Sequence, residues 1–289
     1  MSRHGWTNPR AMRAFTLVEV VVVVAIIAVL AGVLLPTLSG AREAARAGVC
    51  ASNVRQLVIA LDAYATDHAE RYAPGAPDFA ANLVRWHGSR TSPAAAFLPG
   101  GGSLVGYLGG DLSAQVRACP TFTPVARALN AARVGFERAA GGYGYNTAFA
   151  GCDRAIVGID PASGRSVWSV VTDRLGAARW RFARPASSIA FADSAIADGN
   201  AVAGVVEYSF LEPRFWPEAP AQRPDPSVHF RHGGSRADLR SANVAWLDGH
   251  VSAQKRRFTW SSGVYAGDAA VLGTGWPGEE DSNVLFESR

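Results

Sequence analysis

The residues best suited to chemistry near the C terminus are His232 and Asp248, in the stretch RHGGSRADLRSANVAWLDGHV. A histidine and a carboxylate can form a hydrolytic pair or contribute to a metal site. Neither residue has a nucleophile at a suitable spacing, a glycine-rich oxyanion loop or a second close pair of ligands. We therefore expect Asp248 to form a turn with Gly249 and His232 to hydrogen-bond a loop, both in structural roles.

Two other groups of side chains offer metal ligands. His229, His232 and His250 would share a metal only if their loops fold together, and His250 lies beyond the predicted turn. The acids of GEEDSN (279–281), with Asp268 upstream, could supply oxygen ligands to calcium, but they lack an EF-hand pattern. Because an acidic run is usually a solvated surface, the sequence predicts no metal and no cofactor, with structural calcium in the head as the alternative.

Near the N terminus a single acid stands inside an apolar run. The segment RAMRAFTLVEVVVVVAIIAVLAGVLLPTLS (10–39) contains Glu19, and no charged side chain follows it from Val20 to Pro36. The run reaches the roughly 20 residues that cross a bilayer core. An ionised group at membrane depth costs several kcal/mol unless it finds a partner, so Glu19 is predicted to be functional.

The segment in front of this run is basic. It carries Arg3, Arg10 and Arg13 and no acid, which predicts a cytoplasmic N terminus and an external head. Without these arginines the formal net charge falls from +4 to +1, so the chain's charge does not indicate a nucleic-acid partner. The apolar part is too long for a cleavable secretory signal and no A-x-A site closes it, whereas a plain signal anchor remains the alternative. Either Met1 or Met12 could be the start.

Beyond Pro36 the pattern becomes that of an amphipathic helix over 40–71. Apolar and aromatic residues recur at intervals of three and four, namely Val54, Leu57, Val58, Leu61, Tyr64 and His68. The Gly- and Pro-rich remainder, 72–289, predicts a globular head of antiparallel strands. Candidate strands are 166–173, 187–194, 202–211 and 242–254, with a two-residue turn at Asp248-Gly249 in the last and loops at 74–110 and 212–227. The predicted fold class is α+β, a long N-terminal helix packed on an antiparallel sheet.

The stretch AFTLVEVVVVVAIIAVLAGVLLP resembles the N-terminal segment of type IV prepilins and type II secretion pseudopilins. The resemblance implies a leader of residues 1–14, cleavage between Ala14 and Phe15, and N-methylation of the new amine on Phe15. It makes 15–39 a transmembrane and filament-core helix, with Glu19 and Pro36 as the residues that serve assembly. The family usually has glycine before the cut, so Ala14 is expected to slow processing. A neighbouring subunit's Phe15 amine could neutralise Glu19 and fix the axial register of the two helices.

The C-terminal stretch is similar to the H-X9-DG region of large pilin-like proteins. Further stretches fit the same family: REAARAGVCASNVRQLVIALDAYATDH, ACP, YGYNTAF and FADS. Fifteen residues separate His232 from Asp248, where the pattern has nine. Three cysteines allow three pairings, and the resemblance pairs Cys50 with Cys119 as a disulfide and leaves Cys152 over.

Together these patterns predict a structural subunit of a type IV pilus or a type II secretion-like filament, and not an enzyme. The implied partners are prepilin peptidase, other pilin or pseudopilin subunits, the inner-membrane assembly platform and the membrane. The expected location is the inner membrane with a periplasmic head, followed by a periplasmic or cell-surface filament. The alternative is a membrane-tethered binding or enzymatic head that uses a signal anchor.

Overall fold

The computed structural model describes residues 16–109, 113–201, 203–234, 239–261, 263 and 265–287. The chain divides into two compact units, one ending at Arg42 and one from Glu43 to Arg289. Helix α1, Leu17–Asp67, contributes residues to both units. The other α-helices described are α2 (Ser113–Val116), α3 (Thr123–Ala132) and α4 (Ala269–Leu272).

Short strands make up most of the remaining regular structure described in the second unit. In chain order they are β1 (Val84–Arg85), β2 (Gly88–Ser89), β3 (Tyr143–Tyr145), β4 (Asp153–Ile159), β5 (Ser166–Thr172), β6 (Ile189–Asp193), β7 (Ile196–Ala197), β8 (Val205–Val206), β9 (Val228–His229), β10 (Ser241–Trp246), β11 (Val251–Lys255) and β12 (Thr274–Gly275). The central sheet has the order β11-β10-β6-β3 and is antiparallel throughout. The remaining strands pair in twos, β1 with β2, β4 with β5, β7 with β8 and β9 with β12.

The apolar stripe of α1 is buried in the second unit, in one core with the central sheet. Val54, Leu57, Val58 and Leu61 are buried, as their spacing predicts. They share the core with sheet residues such as Phe191. Polar contacts fasten the helix to the sheet, since the Asn53 amide donates to the Tyr143 hydroxyl at 3.3 Å and the Asn243 amide to the Ala47 carbonyl at 3.3 Å. The predicted α+β class is therefore confirmed.

Helix α1 ends at Asp67, four residues before the predicted boundary at 71. The backbone turns there because Ala69 and Glu70 take left-handed φ values of 52° and 60°. The Glu70 N–H donates to the Ala65 carbonyl at 2.9 Å, which satisfies an end carbonyl of the helix.

The predicted strands agree with the structure unequally. Segments 166–173 and 187–194 contain β5 and β6, and 242–254 covers the β10–β11 hairpin except for its first and last residues. Segment 202–211 contains only the two residues of β8 among those described. The predicted surface loop 74–110 is partly core, because Trp86 is fully buried and its indole N–H donates to the Ser209 carbonyl at 2.8 Å. Composition alone marks such a segment as a loop, and it does not reveal what the loop packs against.

The burial stripe of α1 predicts a paired stability effect. Leu57→Ala should lower the free energy of unfolding by about 2–5 kcal/mol, because it leaves a cavity at a fully buried position. Ile59→Ala, two residues away and 57% exposed, should change it by less than about 0.5 kcal/mol. Urea unfolding of the full chain in detergent, followed by tryptophan fluorescence, measures both. Equal losses in the two variants would contradict this packing.

Candidate functional site

The start of α1 is closed by reciprocal hydrogen bonds between Thr16 and Glu19. The Thr16 N–H and hydroxyl donate to Glu19 Oε2 at 2.8 and 2.9 Å, and the Glu19 N–H donates back to Thr16 Oγ1 at 3.3 Å. This is a capping box, in which threonine and an acid three residues later satisfy free N–H groups of the first turn. Glu19 thus has partners within its own chain, which the sequence analysis missed although the T-x-x-E spacing signals them.

The helix surface that follows the cap is apolar on every side and uncovered. Large side chains from Leu17 to Leu38 are exposed around the whole circumference, and an apolar 18-residue window with mean hydropathy 3.1 has no buried part. By length and composition the helix can cross a membrane. The helix continues through Pro36. Ala14 and Phe15, the predicted cleavage and methylation positions, lie outside the described residues.

In the head, Asp248 and Gly249 lie in the connection between β10 and β11. Counted from the hydrogen-bonded residues Trp246 and His250, the turn has three residues, one more than predicted. Leu247, Asp248 and Gly249 join Trp246 to His250, and the Trp246 N–H donates to the His250 carbonyl at 3.0 Å. Gly249 alone of these three has a positive φ, 92°, which fits a type I turn followed by a left-handed residue. Asp248 Oδ1 accepts from the His250 N–H at 3.1 Å, so this carboxylate holds the turn.

His232 faces a different aspartate. Its Nε2 lies 3.1 Å from Asp193 Oδ2, and its Nδ1 lies 3.4 Å from Thr121 Oγ1 and 3.6 Å from Glu43 Oε1. Asp248 instead lies beside His250, with its Oδ1 atom 2.6 Å from His250 Nδ1. The sequence alone did not indicate Asp193 or Glu43 as partners of His232. Asp193 belongs to the FADS stretch that the resemblance had brought out, and no local pattern marks Glu43.

The two predicted disulfide partners lie beside this histidine. Cys50 projects from the buried stripe of α1, Cys119 precedes α3, and their Sγ atoms are 2.7 Å apart. Both are free thiols in the structure, so the disulfide stays a prediction. Cys152 is elsewhere, with its sulfur 3.5 Å from the Thr172 carbonyl.

Cys50, Cys119, Asp193 and His232 together form what we call the buried cluster. Their ligand atoms all lie within 4.8 Å of one another. Each comes from a different segment: α1, the α2–α3 loop, the end of β6 and the residues after β9. Among the residues described, this group contains His232 but neither His229 nor His250. The structure therefore does not bring the three histidines together around one point.

Charge in the buried cluster is set by opposite neighbours. Burial alone would raise the pKa of Asp193, but the Arg231 guanidinium and His232 hold that pKa below its ordinary value. Burial disfavours the imidazolium of His232, yet the contacts with Asp193 and Cys119 raise its pKa to about 10. The Cys119 thiol lowers the pKa of Cys50 by hydrogen bonding, while burial raises that of Cys119.

Cysteine, histidine and aspartate in contact can form a nucleophilic site, but burial argues against that chemistry here. All four side chains are at most 2% exposed, so a substrate has no open route to the sulfurs. A nucleophile must reach its substrate for covalent catalysis. The arrangement can form a disulfide or hold a small ion.

The acids proposed for calcium are engaged in other contacts. Asp268 caps α4 by accepting from Ala270 and Val271, and Glu279 pairs with Arg257 at 3.0 Å. Asp281 contacts two arginines, and Glu280 accepts from the Ser282 hydroxyl at 3.4 Å. The structure thus gives each of these acids a structural partner.

A separate groove crosses the head surface. Two adjoining cavities, of about 400 and 340 Å³, share Phe79, Tyr208, Phe210, Glu212 and Trp216 in their walls. The Tyr208 hydroxyl donates to Glu212. Burial raises the pKa of Glu212 to about 7, so near neutral pH this carboxyl group is partly protonated. It lies among aromatic rings.

The comparison with known protein families matches residues 9–35 to the prokaryotic N-terminal methylation motif. The match covers Arg10 and Arg13 of the basic flank, Ala14, Phe15, Glu19 and most of the apolar run, and it leaves the head outside. No curated protein matches the chain, and no solved structure does. The motif supports a type IV pilin-like protein and implies processing by prepilin peptidase and assembly with other pilin subunits.

The groove acid predicts a pH effect on stability. Since folding raises the pKa of Glu212, this group's contribution is greatest below about pH 4.5 and is lost as the pH rises through about 7. The wild type should therefore lose about 1–3 kcal/mol of unfolding free energy between pH 5 and pH 8 that Glu212→Gln does not lose. Urea unfolding at both pH values measures the difference, with the exposed Glu279→Gln as control. A wild-type-like pH dependence in Glu212→Gln would contradict the raised pKa.

Proposed function

We propose that the chain is a structural subunit, a pilin or pseudopilin, of a type IV pilus or type II secretion-like filament. Prepilin peptidase removes residues 1–14 at the inner membrane, and the subunit polymerises through α1. The observation that carries this proposal is the methylation motif at residues 9–35, which leads directly into an uncovered apolar helix.

Helix α1 supports polymerisation because, among the residues described, its first half leaves its apolar side chains uncovered. The described apolar side chains from Leu17 to Leu38 are exposed on all sides. A helix that is apolar all round is stable in lipid or inside a bundle of similar helices. The same surface therefore suits the membrane before assembly and a filament core after it.

The capping box fits the proposed cut. Thr16 and Glu19 both follow the Ala14–Phe15 bond, so cleavage leaves their hydrogen bonds in place. Both bonds to the carboxylate end on Oε2, and carboxylate oxygens have further lone pairs. A neighbouring subunit's Phe15 amine can then bind the same carboxylate and set the register of the two helices.

The head supports a structural function more than catalysis. Asp248 stabilises a turn, and the buried cluster is closed to substrates. The competing function is a tethered head that uses the helix only as an anchor. That head would keep its activity as a monomer and would not require Glu19.

Substitutions of Glu19 distinguish these functions and separate its charge from its cap. Glu19→Ala should reduce the subunit in sheared filaments by more than about tenfold while its membrane level is unchanged, because breaking a buried ion pair costs about 3–5 kcal/mol. Glu19→Gln keeps a capping-box acceptor but has no charge, and it should lose assembly to a similar extent. Immunoblots of the sheared and membrane fractions measure both.

The matched control is Glu279→Ala in the head, which should assemble normally because Glu279 is exposed. If Glu19→Gln assembles and Glu19→Ala does not, the assembly defect comes from loss of the helix cap. That result would overturn the proposed pairing of Glu19 with a neighbouring subunit's Phe15 amine. Normal amounts of both variants in filaments would contradict polymerisation through Glu19 altogether.

A further inference from the structure

The buried cluster holds more polar groups than a disulfide requires. Cys50 and Cys119 alone would suffice for the bond, yet Asp193 and His232 reach the same point from two other segments. His232 Nε2 is 3.1 Å from Asp193 Oδ2 without the alignment of a hydrogen bond. Asp193 Oδ1 is also buried without a hydrogen-bond partner. Buried polar atoms of this kind cost free energy unless something binds them.

The side chains are those that zinc prefers. Thiolate sulfur, imidazole nitrogen and carboxylate oxygen bind Zn²⁺ tetrahedrally at about 2.0–2.3 Å, which places the donors about 3.3–3.8 Å apart. The four ligand atoms of the cluster already lie within 4.8 Å of one another. The sulfurs, 2.7 Å apart, would have to separate by about 1 Å to bind one ion.

The orientation of His232 also suits a metal ligand. Its Nε2 points toward Asp193, whereas Nδ1 faces the Glu43 carboxylate at 3.6 Å and Thr121 Oγ1 at 3.4 Å. Metal-bound histidines commonly direct their second nitrogen to a carboxylate, which fixes the ring and its tautomer. Glu43 lies in the same compact unit as the other residues.

The surrounding charge and hydrogen bonds are compatible with a divalent cation. Asp193 Oδ2 accepts from the Asn243 N–H at 2.7 Å, and Oδ1 lies 3.5 Å from Arg231 Nε. Binding would release one proton from each thiol and one from the His232 imidazolium, since each ligand atom must be deprotonated. Two thiolates and the Asp193 carboxylate would then carry three negative charges. A divalent ion together with Arg231 balances these charges. This balance is needed because unpaired charges in a buried site cost free energy.

We propose that Cys50, Cys119, Asp193 and His232 of the reduced chain bind one divalent cation of the zinc class. The ion and the predicted disulfide are alternative states of the same two sulfurs. Oxidation removes two protons and two electrons from the thiols and passes them to a partner disulfide, which is reduced to two thiols. The S–S bond then leaves no thiolate for the metal.

Cobalt titration of the full chain in detergent tests the site. Reduced with a phosphine, the wild type should bind one Co²⁺ per chain with a thiolate-to-cobalt charge-transfer band, and Zn²⁺ should displace it. Cys152→Ser should behave in the same way, because Cys152 contacts other residues. Cys119→Ser and His232→Gln should each weaken binding by at least about tenfold, and Glu43→Gln by about tenfold through the histidine.

The wild type decides the proposal even if ligand variants fail to fold. A band of one Co²⁺ per chain that is present after reduction, absent after oxidation and retained in Cys152→Ser supports it. No charge-transfer band in the reduced wild type would overturn it. Full binding in folded Cys119→Ser or His232→Gln would also overturn it, because the ion would then lie elsewhere.

Discussion

The apolar surface of the first half of α1 is the constraint on which the account depends. A helix from Leu17 to Asp67 is about 75 Å long, and its N-terminal part exposes large aliphatic side chains in every direction. Water cannot solvate such a surface without a large free-energy cost, so lipid or other helices must cover it. Further along the same helix the apolar residues narrow to one stripe, which the head core buries. One helix thus meets two different environments through a change in its residue pattern.

The head is organised around buried polar groups as much as apolar packing. Asp193 stands at the end of a fully buried strand, and Arg231 and His232 compensate its charge. Burying a carboxylate is costly without such partners. The cluster therefore ties α1, the central sheet and two loops to one point. Its two thiols add a redox-sensitive element at that point, and the compartment of the head determines which state they adopt.

The sequence predicts the elements that have a periodic residue pattern or a local turn signal. It does not predict features that depend on contacts between residues distant in the chain. The stripe Val54, Leu57, Val58 and Leu61 and the β10–β11 hairpin follow from period and turn residues. The length of that turn was wrong because Asp-Gly fits both two- and three-residue connections. The burial of Trp86 had no local signal, since its partner Ser209 is far away in the chain. At the candidate sites, Glu19 was identified from its apolar surroundings, whereas Asp193 meets His232 only after folding.

The most direct test of the central claim is mass spectrometry of the N-terminal peptide. Membrane and sheared surface fractions would be compared from cells with and without prepilin peptidase. The account predicts a chain that begins at N-methylated Phe15, with its α1 sequence intact, only when the peptidase is present. An uncut chain that begins at Met1 or Met12 in both strains would contradict it, and would leave a head held by a plain membrane anchor.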